Sequence, residues 1–200
     1  MFDFYEIFKE KNPGFIGIRD KTYSVVIPII DIDGQQNIIF QIRNKNLKVQ
    51  PGEVSLPGGR VEEGEKPIEA AIREFSEEMS SSPNKIKIIA ELDTYIAPVR
   101  GIIHCFLAEV DKDIDLDIKN EEVEGVFTVP ITYFIKNEPE VFRNRISIQA
   151  DENFPFDEMS ISKKYNWGSY EYPVAFYKID KIVIWGITAN IIWNFSKNLT

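Results

Sequence analysis

Glu74, Glu77 and Glu78 close a run from Gly58 to Glu78 that reads Gly-Gly-Arg-Val-Glu-Glu-Gly-Glu-Lys-Pro-Ile-Glu-Ala-Ala-Ile-Arg-Glu-Phe-Ser-Glu-Glu. On a helix, intervals of three and four residues bring side chains to one patch, so the first acid meets the other two. Like charges at that spacing repel, and an isolated helix gains nothing from them. A hard divalent cation with oxygen ligands, Mg2+ or Mn2+, turns the repulsion into coordination. Such an ion keeps several waters, bridges to substrate phosphates and activates a water for attack at phosphorus. The chemistry this pattern predicts is hydrolysis of a diphosphate.

The acids need a helix, and the sequence supplies one. Pro67 suits the first turn, where its missing N–H would have no partner, and Ile68, Ala71, Ile72, Phe75 and Met79 recur at helical spacing to form a buried face. Gly58 and Gly59 precede the helix, where a glycine pair lets the backbone approach a metal or a phosphate closely. Arg73 can pair with Glu65 across the intervening turn and hold the glycine loop against the helix start. A Glu-rich helix is more often a solvated charged face; the complete spacing outweighs that reading here.

Gly59, Glu65, Arg73, Glu74, Glu77 and Glu78 follow the order glycine, five residues, glutamate, seven residues, then Arg-Glu-apolar-x-Glu-Glu. In this the chain resembles the Nudix hydrolases. The family's closing glycine is Ser80 here and the apolar residue after it is Ser81. The glycine serves a left-handed helix C-terminus, so Ser80 either costs stability or shifts the helix end. Upstream, the stretch from Ile42 to Gly59, with Arg43, Leu47-Lys48, Gly52-Glu53-Val54 and Pro57-Gly58-Gly59, is similar to the second signature of the coenzyme A diphosphatase branch. That branch has an arginine where this chain has Lys48 and a histidine where it has Gln50. The stretches Glu122 to Pro130 and Ile184 to Ala189 resemble its late strand and closing helix.

The resemblance implies an α/β fold, a Nudix-type α/β/α sandwich with a mixed β-sheet. It implies Mg2+ or Mn2+ held by Glu74 and Glu78, with Glu77 as a ligand or acting through water and the backbone carbonyl near Gly59 as a further ligand. Members of the family place the general base differently, so the resemblance leaves it open between Glu74 and Glu77, with Glu122 or Glu124 as candidate contributors from a later loop and Arg73 beside them. Gly58, Arg43, Lys45, Lys48 and Arg60 flank the glycine turn as substrate contacts; the four cations would meet the 3′-phosphate of coenzyme A. The implied reaction cleaves coenzyme A or its thioesters to a 4′-phosphopantetheine and adenosine 3′,5′-bisphosphate. The alternatives are hydrolysis of another nucleoside diphosphate compound such as ADP-ribose, and a non-catalytic module that senses a nucleotide.

The 200 residues, 44% hydrophobic, suffice for one sizeable core, so the whole chain is expected to be one domain with its core at about residues 21–195. A net charge of −9 argues against general nucleic-acid binding, and an acidic enzyme acting on the small-molecule polyanion that the resemblance implies must supply local cations, which a bound metal and the residues around Arg43 could do. No run of eighteen apolar residues suggests a membrane span, and the acidic start Met1 to Glu6 is unlike a secretory peptide, so the chain is expected to be cytoplasmic. One cysteine and one histidine, the neighbours His104 and Cys105, exclude an internal disulfide and a Cys/His zinc site.

A short helix is expected over Asp3 to Lys11, ended by Asn12-Pro13-Gly14. Strands follow over Tyr23 to Ile30 and Asn37 to Arg43, then β-rich runs over Lys85 to Ala97, Gly101 to Val110 and Gly125 to Val129. Ile131 to Lys136 reads as one or two helical turns, and Ile182 to Lys197 as a closing helix. The acidic run Asp111 to Asp117 lacks the glycine and terminal glutamate of a calcium loop and reads as solvated. Residues 144–172, rich in aromatic and polar side chains, read as an insertion packed on its own core, or else as a substrate cover or the contact of a homodimer.

Overall fold

The computed structural model describes Lys9 and residues 21–98 and 100–199; the helix expected over Asp3 to Lys11 otherwise lies outside the described residues. The core begins with the hairpin of β1 (Thr22–Ile32) and β2 (Gln35–Arg43). Its turn falls at Asp33 and Gly34, both at positive φ (52° and 82°), and the Gly34 N–H donates to the Asp31 carboxylate at 3.0 Å. An Asp-Gly pair is the sequence that such a two-residue turn asks for.

β1 is apolar almost throughout because both of its faces are covered, as strands in the middle of a layered fold must be. Val26 and Ile30 point to the layer of helix α1 (Pro67–Glu78) with Ile39, Phe75, Phe106 and Ala108. Ile27 and Ile29 point the other way, with Ile38 and Phe40, to α2 (Ile131–Lys136) and α3 (Gly186–Lys197) through Phe134, Ala189 and Ile192. Two helical layers with a sheet between them make the α/β/α sandwich that the sequence implied.

The sheet is mixed. Its strand order is β3-β2-β1-β7-β5, where β3 is Val54–Ser55, β5 is Ile86–Glu91 and β7 is Gly101–Val110. β7 runs parallel to β1 and the remaining pairs are antiparallel; β4 (Gly58–Arg60) pairs with β1, β6 (Tyr95–Ala97) with β7 and β8 (Val123–Pro130) with β2. The run expected over Lys85 to Ala97 is thus two strands, preceded by a 3-10 turn at Pro83–Lys85.

A second, antiparallel sheet of order β11-β10-β9 joins β9 (Glu140–Ser147), β10 (Ser169–Ile179) and β11 (Ile182–Trp185). Two expectations change here. Ile182 to Trp185 is a strand rather than the first turn of the closing helix, because β-branched Ile182, Val183 and Ile184 pair with Ile179, Lys178 and Tyr177; the helix starts only at Gly186. The ends of segment 144–172 are not a separate insertion, since Asn144 to Ser147 and Ser169 to Tyr172 continue the β9–β10 ladder. Between them Phe154, Phe156, Tyr165 and Trp167 form a local ring cluster with centroid distances of 4.9 to 5.1 Å.

Helix α1 ends without its glycine. Ser80 sits at φ 46°, and the Ser80 and Ser81 N–H groups donate to Glu77 O (3.2 Å) and Ser76 O (2.9 Å), the paired bonds of a left-handed helix stop. Ser80 therefore bears the strain and the helix end does not shift. Relief of that strain predicts that Ser80→Gly stabilises the fold by about 0.5 to 1 kcal/mol, after the loss of a weak hydroxyl bond from Asn120. Urea unfolding would show it as a raised midpoint with an unchanged slope.

Candidate metal and diphosphate site

The site is built where β4 turns toward α1. β4 lies against β1 with Gly58 opposite Val25 and Gly59 opposite Ser24, and the Ser24 hydroxyl donates to Pro67 O at 2.7 Å, fixing the helix start beside the strand. The Lys66 N–H donates to the Glu69 carboxylate (3.1 Å) and the Glu62 N–H to that of Glu65 (2.9 Å), which sets the loop between them.

Both glycines make close contacts that a Cβ would invade. A Cβ on Gly58, which sits at φ 149°, would stand 2.2 Å from the Ser24 carbonyl oxygen; one on Gly59 would stand 2.2 Å from the Glu74 carboxylate carbon. The close approach lets the Gly58 N–H donate to Glu78 Oε2 at 2.8 Å, although Glu78 is only 3% exposed.

Arg73 organises the acids around this seam. Its Nε and Nη2 donate to the two Glu65 oxygens (2.9 and 3.0 Å), Nη1 to Glu74 (2.9 Å) and Glu77 (3.2 Å), and Nη2 also to Arg60 O at 3.1 Å. The Arg73–Glu65 pair anticipated from the sequence is present and bidentate. It pushes the Arg73 pKa up, Glu65 being the main cause, and holds that of Glu65 below the ordinary carboxylate value.

Burial acts the opposite way on the two inner acids. Desolvation raises the Glu78 carboxyl to about 7 against the bonds from Gly58 and Gln41, and desolvation raises Glu74 against its bond from Arg73. The charges of Glu74 and Glu122 add to the rise at Glu78. Glu122 is brought there by Asn120, whose amide donates to Glu78 O (3.0 Å) and whose Oδ1 accepts the Glu122 N–H (2.9 Å). Glu124 is turned away, toward Lys45 at 3.7 Å.

The three-carboxylate patch expected from the spacing is an inner pair, Glu74 and Glu78, with Glu77 outside it: the Glu77 side chain is 62% exposed and drawn to Arg73. Among the described residues no three acidic, histidine or cysteine side chains converge as a metal requires. The donors suit a divalent ion, since two carboxylates whose charged forms are penalised by burial and mutual repulsion sit beside Gly59, whose backbone the missing Cβ exposes.

A cavity of about 560 Å³ opens over the glycine pair, lined by Tyr23, Val25, Gly58 and Gly59 on one side and by Tyr172, Val174 and Trp185 on the other. Of the cations expected as substrate contacts, Arg43 lines it and Lys45, Lys48 and Arg60 do not. Lys45 and Lys48 follow the end of β2 and Arg60 closes β4, all three exposed. No motif points to the arginines that do join Arg43, namely Arg100 beside the turn into β7 and Arg145 on β9. Neither lies in a motif, and only the closure of β9 and β7 around the cavity brings them near.

The NUDIX domain model matches residues 20–150, a stretch that holds the whole glycine-to-glutamate site. The chain belongs to the Nudix family. Among Nudix relatives it is 28% identical over 138 residues to the mouse peroxisomal coenzyme A diphosphatase NUDT7, covering 68% of this chain and 58% of that one. It is 31% identical over 185 residues to the mitochondrial Nudix hydrolase 15 of Arabidopsis thaliana, covering 87% and 57%. The chain thus spans less than two thirds of the length of these relatives. A MutT/nudix protein of Enterococcus faecalis shares the fold, with a TM-score of 0.53 at 13% identity over 96% of this chain and 66% of that one. Nudix relatives with peroxisomal and mitochondrial names show that membership does not fix a compartment; among the described residues no helix is long and apolar enough to cross a membrane.

The Nudix glycines separate two kinds of damage. Gly59→Ala displaces the flexible Glu74 carboxylate and is expected to leave the thermal midpoint within a few degrees while weakening Mg2+ binding about tenfold in calorimetry. Gly58→Ala strikes backbone at a disfavoured φ and is expected to destabilise by about 2 kcal/mol or more.

Glu78 also makes stability depend on pH. Its folded pKa, about 7, lies above the ordinary 4.5, so between those values the folded state binds the extra proton. In metal-free protein the Glu78 contribution to stability should be fully present below about pH 4.5 and be lost, by about 3 kcal/mol, as pH rises through about 7. Glu78→Gln should flatten that slope in chelator-treated samples unfolded with urea.

Proposed function

We propose that this chain is a diphosphatase dependent on Mg2+ or Mn2+, cleaving coenzyme A or an acyl-coenzyme A to a 4′-phosphopantetheine and adenosine 3′,5′-bisphosphate. The observation that carries the reading is the placement of Glu74 and Glu78 against Gly58 and Gly59, two glycines that line a cavity together with Arg43, Arg100 and Arg145. Acids that hold a cation, beside arginines that meet a polyanion, suit a diphosphate with a further phosphate nearby. The similarity to a protein named coenzyme A diphosphatase supports the substrate class.

Glu74 and Glu78 would hold the ion, with Glu77 and the Gly59 carbonyl completing its ligands. A divalent ion in that position neutralises diphosphate charge and acidifies a water. Arg73 fixes the Glu74 carboxylate and the glycine loop together, and Arg43 binds a phosphate at the cavity wall. Glu77 and Glu122 are both exposed and so have solvent access for proton transfer. The presence of every motif carboxylate supports cleavage over nucleotide sensing. A cytoplasmic location and a small-molecule substrate belong to the same proposal.

Purified protein with Mg2+ or Mn2+ should release adenosine 3′,5′-bisphosphate from coenzyme A, followed by chromatography, faster than it cleaves dephospho-coenzyme A or ADP-ribose. Equal rates on the dephospho form would remove the 3′-phosphate from recognition, preference for ADP-ribose would reassign the substrate, and no cleavage of any compound would favour sensing. Glu74→Gln and Glu78→Gln should each lower kcat/KM by about two orders of magnitude or more.

A further inference from the structure

Three side chains that line the cavity, Trp185, Tyr172 and Arg145, do not belong to the carboxylate machinery. Trp185 is 44% exposed although Ile184 before it is fully buried, and its indole N–H meets no acceptor among the described residues. Tyr172 stands on the same wall, its hydroxyl bonded to that of Tyr95, which in turn accepts the Asn190 amide at 2.8 Å. Asn190 is itself buried and fixed by the Ala175 N–H at 2.9 Å, so the Tyr172 ring is held in place. Arg145 lines the cavity from the neighbouring strand.

A large ring left open inside a cavity is apolar area that a ligand can cover, and a fixed backbone lowers the entropy cost of covering it. Trp185 has such a backbone, since it pairs with Phe176 in the β10–β11 ladder and leads directly into α3. From these features we infer that Trp185 is a specificity residue, the platform on which the aromatic base of a nucleoside diphosphate substrate stacks.

The inference rests on the diphosphatase reading and deepens it by orienting the substrate. One arm of a coenzyme A-like compound is aliphatic and uncharged beyond the diphosphate; the other carries a planar base and an additional phosphate. A wall that combines an indole with a guanidinium complements the second arm. Trp185 and Tyr172 also lie beyond residues 20–150, the stretch matched by the family model. The reaction groups and the base platform therefore come from different parts of the chain, as expected when a common fold carries a particular specificity.

Calorimetry with adenosine 3′,5′-bisphosphate, in the presence of Mg2+, tests the assignment without requiring turnover. Trp185→Ala should weaken its Kd by about 5- to 150-fold, whereas Trp185→Phe should remain within about threefold of the unaltered protein. Inorganic diphosphate, which has no base, should bind all three proteins alike, and this controls for folding. Unchanged adenosine bisphosphate binding in Trp185→Ala would overturn the inference, as would a loss confined to 4′-phosphopantetheine. Tight, Trp185-dependent binding without cleavage of any diphosphate would instead reject the proposed reaction and leave the platform standing.

Discussion

A carboxylate buried at the seam of a helix and a strand governs this structure. Glu78 is held there by the Gly58 N–H, and an ionised carboxylate in such a place costs several kcal/mol unless it is compensated. Its partners compensate only in part, which is why its pKa rises to about 7. The two glycines follow from this constraint: the strand must run close enough for its N–H to reach the acid, and a side chain at either position would occupy the space that the Ser24 backbone or the Glu74 carboxylate takes. The same seam concentrates negative charge in a low-dielectric corner, where a divalent cation gains most from each ligand.

Arg73 is the counterweight that keeps this corner folded. Its planar fork spans the Glu65 carboxylate, leaving an edge for Glu74 and Glu77 and a donor for the Arg60 carbonyl. A lysine would offer a point charge and could not span Glu65 in the same plane. The arginine thus fastens the loop, the strand and the helix at one point. It also competes for Glu74 and Glu77, so any ligation of a cation by those acids would have to be balanced against their bonds to Arg73.

How much of this was legible in the sequence follows from distance along the chain. The α1 face, the start at Pro67, the Arg73–Glu65 pair and the role of the glycines are all encoded within twenty-one residues, where helical geometry converts spacing into contact. Ser80 stood out because the turn it occupies favours glycine, and φ there is indeed positive. The arginines of the cavity could not be found in that way. Lys45 and Lys48 lie near the motif in sequence but leave the cavity, and Lys45 turns to Glu124 because β2 and β8 are neighbours in the sheet. Arg100, Arg145, Tyr172 and Trp185 reach it only through tertiary closure. Ile182 to Trp185 misread as helix for a related reason: four apolar residues fit either period, and the partner strand β10 decides between them.

This division has a physical logic. The groups that would hold a metal must keep their mutual geometry to within a fraction of an ångström, and a single helix braced by one strand does that with few degrees of freedom. The opposite wall has a different requirement, since it must suit the shape of a substrate without disturbing the acids. Its position on a separate three-stranded sheet meets that need: β10 packs on α3, and the wall residues Tyr172 and Trp185 lie on β10 and β11 rather than on the strands that carry Gly58 or position α1. Substitutions there can reshape the cavity while the Glu78–Gly58 contact and the Arg73 fork stay intact. A fold arranged in this way can retain one reaction and change its substrate, because the two depend on contacts that share almost no residues.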